Sequence, residues 1–124
     1  MSTDLRQHLG RRGEDLALEH LERLGYRLVA RNHRTRFGEL DLIVGDDETI
    51  VFVEVKARRV GASAGSAVES VPPRKQRQVR AMAAAWLIES NDRPHSSDLR
   101  FDVVAITVDQ GSRLVRLDHL EAAF

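Results

Sequence analysis

Residues 38–58 read GELDLIVGDDETIVFVEVKAR. Both ends of this stretch alternate with a period of two, the pattern of strands with a face in a core. In the first run Glu39, Asp41 and Ile43 share one face, and Leu40, Leu42 and Val44 the other. In the second, Ile50, Phe52, Glu54 and Lys56 share a face opposite Val51, Val53 and Val55. Strands this close in sequence are expected to form a hairpin. With a loop over Asp46 to Thr49, Gly45 pairs with Ile50 and Asp41 falls opposite Glu54. Their Cβ atoms would then be on the order of 5 Å apart. A two-residue loop would shift that register.

Opposed carboxylates destabilise a sheet. A shared proton, a basic neighbour or a divalent cation could each relieve them. Hard oxygen donors suit Mg²⁺, Mn²⁺ or Ca²⁺. An ion held by carboxylates and a substrate phosphate can polarise a phosphodiester and lower the pKa of an attacking water. Lys56 would orient that water, help deprotonate it, or offset charge on phosphorus. The chain has seventeen Arg and only two Lys, at 56 and 75. Lysine exchanges its proton where arginine does not, so a lysine here supports a site. The competing reading is a solvated polar hairpin face. Ile43, Ile50 and Phe52 on that face count against it.

Towards the N-terminus, Leu5, Leu9, Leu16, Ala17, Leu21 and Leu24 recur near helical spacing over Asp4 to Leu24, and Gly25 is a stop. Gly10 and Gly13 weaken the first half, so the helix is expected to begin nearer Gly13. YRLVARN, from Tyr26, reads as a strand. Towards the C-terminus, 58–73 is rich in small residues and reads as a mobile loop. Pro72 and Pro73 lead into a helix whose first half is basic and whose second half is Ala-rich and apolar. LRFDVVAITV and RLVRLDHL are two further strands. The expectation is one α/β domain over residues 1–124, with a core from about 10 to 118. Its order is α-β-β-β-α-β-β, a mixed sheet flanked by helices.

At 124 residues the chain can bury a core of its own. No cysteine is present, which removes disulfides, thiolate metal sites and cysteine nucleophiles. No apolar run approaches the roughly 20 residues of a membrane span, and the first residues lack an apolar signal core. A cytoplasmic location without membrane association is expected. The formal net charge is zero, yet the charge is segregated. Residues 27–37, 56–59 and 74–80 carry eleven of the nineteen Lys and Arg and no acid. A neutral chain so arranged can still present a basic face to phosphates.

Single residues carry weaker signals. Glu14 is either a helix carboxylate favoured by the macrodipole or a further acid of the site. Glu39 is expected to be solvated or paired with an arginine. Asp102, inside an apolar strand, is expected to partner an arginine. The five histidines lack paired ligand spacing and read as surface or packing residues. Trp86 and the alanines read as the core side of the second helix.

GELDLI followed by VFVEVKAR resembles the PD-(D/E)XK nuclease superfamily. There an acid on one strand and E-x-K on the next form a metal site in a mixed α/β, restriction-endonuclease-like core. GRRGEDLALEHLERLGY, RNHRTRFGELDLIV, FVEVKAR and KQRQVRAMAAAWL, taken together, resemble the YraN-type bacterial proteins of that superfamily, from about Gly10 to Val108. The resemblance implies catalytic roles for Glu14, Asp41, Glu54 and Lys56, with Mg²⁺ or Mn²⁺ on Asp41, Glu54 and Glu14. It implies nucleic acid, DNA above all and branched DNA among its forms, as the substrate of a metal-dependent endonuclease, and a homodimer as in the resolvase-like members. Arg34, Arg36, Arg58, Arg59, Arg74, Lys75, Gln76 and Arg77 are the candidates to hold phosphates. The alternative is a nucleic-acid-binding or assembly module that keeps the fold without cleaving.

Overall fold

Ile50, Val51, Phe52 and Val53 are all buried, at most 2% exposed. A strand apolar on both faces must lie inside a sheet covered on both sides. A computed structural model of the chain, which describes residues 3–61, 71–90 and 98–124, has that architecture. The elements are α1 (Thr3–Arg23), β1 (Arg27–Thr35), β2 (Gly38–Gly45), β3 (Thr49–Arg59), α2 (Pro73–Glu89), β4 (Asp98–Val108) and β5 (Leu114–Leu120). This is the order read from the sequence. The strands form one five-stranded sheet in the order β1-β2-β3-β4-β5. Neighbours run antiparallel except β3 and β4, which are parallel. A parallel pair needs a long crossover, and α2 lies within it.

One helix covers each face. Leu9, Leu16, Ala17 and Leu21 of α1 pack on Leu42, Val44, Val51, Val53, Val104 and Ile106. Val79, Met82, Ala83 and Trp86 of α2 pack on Leu40, Ile43, Ile50 and Phe52. Phe52 meets Trp86 edge-on at 5.8 Å and stacks on Phe101 at 5.4 Å. Complete burial of a side chain of this kind contributes roughly 1.5–3 kcal/mol.

Three boundaries differ from the sequence reading. Helix α1 begins at Thr3, well before Gly13. Gly13 marks a close approach instead: a Cβ there would stand 2.6 Å from the Cβ of Ala57 on β3. Leu5 and Leu24, read as part of the apolar face, are 50% and 53% exposed at the helix ends. Of the loop expected over 58–73, Arg58 and Arg59 belong to β3 and Pro73 to α2; 62–70 lie outside the described residues, as do 91–97. Among the described residues no helix is long and apolar enough to cross a membrane.

Candidate metal and nucleic-acid site

The predicted hairpin register is present: Gly45 pairs with Ile50, Ile43 with Phe52 and Leu42 with Val53. The paired register stops there, one step short of Asp41 and Glu54. The Val55 N–H instead donates to Asp41 Oδ2 at 2.9 Å. A side chain has taken over a backbone donor, and β2 and β3 part at the point where the two acids sit. Glu54 is the sixth of the eleven residues of β3, at the point where the strand leaves β2 while its pairing with β4 continues.

Burial, the Glu54 carboxylate and, more weakly, Glu14 raise Asp41 from 3.8 to about 7, against the Val55 amide and Lys75. Burial also raises Glu54, opposed by Lys75 and Lys56. Both groups therefore resist ionisation. Lys75 Nζ stands 3.5 Å from Glu54 Oε1, and the Glu54 side chain is 13% exposed. The basic neighbour foreseen as one means of relief is thus Lys75, from the first turn of α2. Lys56 follows Glu54 on β3 and contributes a smaller attraction.

Glu14 approaches from α1, which the missing Cβ of Gly13 lets lie close against β3. Its Oε1 accepts from Asn32 Nδ2 at 3.0 Å and lies 3.6 Å from Arg31 Nε. The same Asn32 nitrogen donates to Glu39 Oε1, also at 3.0 Å. Asn32 has φ 51°, the left-handed region that asparagine tolerates better than most residues. Glu39 also pairs with Arg34 at 3.3 Å, as the sequence reading allowed. Beside Glu14 opens a depression of about 520 Å³ lined by Gln7, Arg11, Asn32, Arg34 and Glu39.

The donor set fits a hard divalent cation in part. Two partly buried carboxylates with raised proton affinity are what such an ion would relieve, and Mg²⁺ commonly takes one or two carboxylates with water and phosphate as its other ligands. The three-acid set of Asp41, Glu54 and Glu14 is not assembled. Among the described residues no three His, Cys, Asp or Glu side chains form a group able to hold a metal ion. Glu14 is turned to Asn32 and Arg31, and its influence on Asp41 is electrostatic.

The phosphate candidates fall into three groups. Arg74, Lys75, Gln76 and Arg77 form the start of α2, with Pro72 at its cap and no acid in the first turn. Positive side chains oppose the macrodipole there, so they suit an anion. Gln76 donates to the Val71 carbonyl at 3.0 Å and is occupied structurally. Arg58 and Arg59 end β3; Arg58 reaches Thr107 Oγ1 at 3.4 Å and Arg59 the Asp109 carbonyl at 3.0 Å. Arg34 is 82% exposed, and Arg36 lies over the Phe37 ring at 4.7 Å.

A second polar cluster was only partly legible. Asp102, wholly buried, accepts two bonds from Arg100 at 2.8 Å, the arginine partner expected for it. His119 Nε2 lies 2.8 Å from Asp102 Oδ2, and the Ala122 N–H donates to Oδ1. His119 Nδ1 in turn meets His20 Nε2 at 2.9 Å. Burial works to raise Asp102, but Arg100, His119 and the Ala122 amide hold it below its ordinary value. Histidines 99 positions apart give no sequence signal; only the lone aspartate did.

The model of the uncharacterised protein family UPF0102 matches residues 13–106. A UPF0102 protein of Pelotomaculum thermopropionicum is 46% identical over 121 residues, covering 98% of each chain. One of Rhodococcus jostii is 46% identical over 116 residues, covering 94% of this chain and 95% of its own. One of Geobacter sulfurreducens is 47% identical over 116 residues, covering 94% and 88%. The match spans the first helix, the strand acid, E-x-K and the second helix, the segments on which the YraN-type resemblance rested. With that fold and this extent of identity, the chain belongs to the UPF0102 family.

Proposed function

We propose that the protein is a metal-dependent nuclease that hydrolyses phosphodiester bonds in nucleic acid, with DNA, branched DNA included, as the substrate class. The observation that carries this reading is the Asp41–Glu54 pair: two partly buried acids beside the basic start of α2, with Asp41 raised to about 7. Placing two carboxylates side by side in partial burial is costly even with Lys75 and the Val55 amide as partners, and a site for a cation gives the cost a purpose. Asp41 and Glu54 would hold Mg²⁺ or Mn²⁺. Such an ion would supply Lewis-acid polarisation of the phosphodiester and a lowered pKa for an attacking water. Lys56 acts on that water or on the charge developing at phosphorus. Glu14 adds negative potential from α1. Lys75 answers the Glu54 charge and, with Arg74 and Arg77, draws the phosphate to the start of α2. Arg34, Arg36, Arg58 and Arg59 extend the basic surface, so binding weakens as salt rises.

A second reading is a nucleic-acid-binding module without cleavage. It is favoured by the partners already in place: Lys75 on Glu54, the Val55 amide on Asp41, and no three-acid group among the described residues. A cleavage screen separates the two. Linear, nicked, branched and single-stranded substrates are incubated with Mg²⁺ or Mn²⁺, wild type against Lys56→Ala. The nuclease reading expects cleavage that needs the ion and disappears in the variant while binding persists. Salt-sensitive binding with no cleavage under any condition favours the module. Cleavage that survives Lys56→Ala contradicts the assignment.

A further inference from the structure

Helix α2 carries two apolar stripes. Val79, Met82, Ala83 and Trp86 are buried against the sheet. Ala81, Ala84, Ala85 and Ile88 repeat the same spacing two positions on, about 200° around a helix of 3.6 residues per turn. Alanine suits any helix surface, but Ile88 is 81% exposed, and Phe37, from the β1–β2 turn, is 40% exposed. These residues line a groove of about 510 Å³ whose remaining walls are Arg36 and Glu89. Neither Arg36 nor Glu89 takes part in an ion pair among the described residues.

We infer that this groove is the self-complementary interface of a homodimer, with α2 packed antiparallel on the α2 of a second copy about a two-fold axis near Ala84 and Ala85. In that arrangement Ile88 of each copy lands on Ala81 of the other, beside Phe37. The alanines let the helices approach closely, and ridge-into-groove packing fixes the crossing. Charge selects a second copy over an unrelated occupant: the groove bears one cation and one anion, and the two-fold brings each Arg36 to the other copy's Glu89, satisfying both twice. An isologous patch of this kind closes on itself and ends at a dimer. The interface does not depend on the hydrolase reading. Lys75 lies about 14 Å along the helix from the axis at 1.5 Å per residue, so the two acid sites stay clear of the contact.

Sedimentation equilibrium over a dilution series tests this. Wild type, Ile88→Glu, Arg36→Glu and the exchange Arg36→Glu/Glu89→Arg are compared, with circular dichroism as a check of folding; all three positions face outward. The expected result is a reversible dimer for wild type, a folded monomer for Ile88→Glu, dissociation raised at least tenfold by Arg36→Glu, and most of that recovered in the exchange. A wild type that stays monomeric overturns the inference. So does a dimer that survives Ile88→Glu, or an exchange variant no better than Arg36→Glu.

Discussion

Asp41 couples the site to stability. An unfolded aspartate releases its proton near pH 4, whereas folded Asp41 releases it at about 7. Between those values the folded chain binds the extra proton, so stability falls as pH rises through the window, by up to about 1.4 kcal/mol per pH unit. Glu54, also raised, acts with the same sign. Asp41→Asn should flatten this slope and raise the urea midpoint at pH 7.5 in metal-free buffer; an unchanged pH profile would contradict the assignment of the strain. Asp102 works in the opposite sense. Held below its ordinary 3.8, it contributes stability above that value that is lost as pH falls through the folded one. Asp102→Ala strands Arg100 and His119, and breaking a buried pair costs about 3–5 kcal/mol, to be read from urea denaturation. Alternation grouped Asp41, Glu54 and Lys56, and the resemblance alone implied their roles; alternation also put Leu40 on the face of Leu42, whereas Leu40 packs with Ile43 under α2 and Leu42 packs under α1. It could not identify Lys75 as the partner of Glu54, nor Asn32 as the link between Glu14 and Glu39, because both contacts join different elements. The histidine pair was hidden for the same reason.

Element boundaries followed periodicity where apolar residues repeated and failed where glycine was ambiguous. Gly13 reads in sequence as a helix breaker, since it weakens a helix by roughly 1 kcal/mol relative to alanine. In the fold it lies within α1 and admits Ala57 of β3. Propensity lost to packing. Gly13→Ala should therefore destabilise the protein despite the better helix former, by about 1–3 kcal/mol as overpacking does. Gly13→Ala combined with Ala57→Gly should recover part of the loss in a double-mutant cycle, since the two Cβ atoms cannot both be present at 2.6 Å. Additive losses would show that α1 is held off β3 by something else. The register of β2 and β3 was readable from the DDE turn, because one apolar face fixes which residues oppose. The parting of the strands after Leu42 and Val53 was not, because it arises from the Asp41 side chain taking the Val55 N–H.

Across the whole chain, the order of helices and strands was legible because each element writes its own period into the sequence. The sheet order was less so, for it depends on the parallel docking of β4 beside β3 across the crossover. The second half of β3 meets the start of α2 through Glu54 and Lys75, and α1 through Ala57 and Gly13. The partly buried acid pair thus faces Lys75 of α2. The account stands on that pair being a divalent-cation site. Its most direct test is calorimetric titration of Mn²⁺ into metal-free protein at pH 7.5, wild type against Glu54→Gln, each variant checked for folding. The account predicts binding in wild type, weakening as pH is lowered through about 7 where Asp41 takes up its proton, and no binding in Glu54→Gln. Absence of binding in folded wild type, or equal binding in the two proteins, would contradict it.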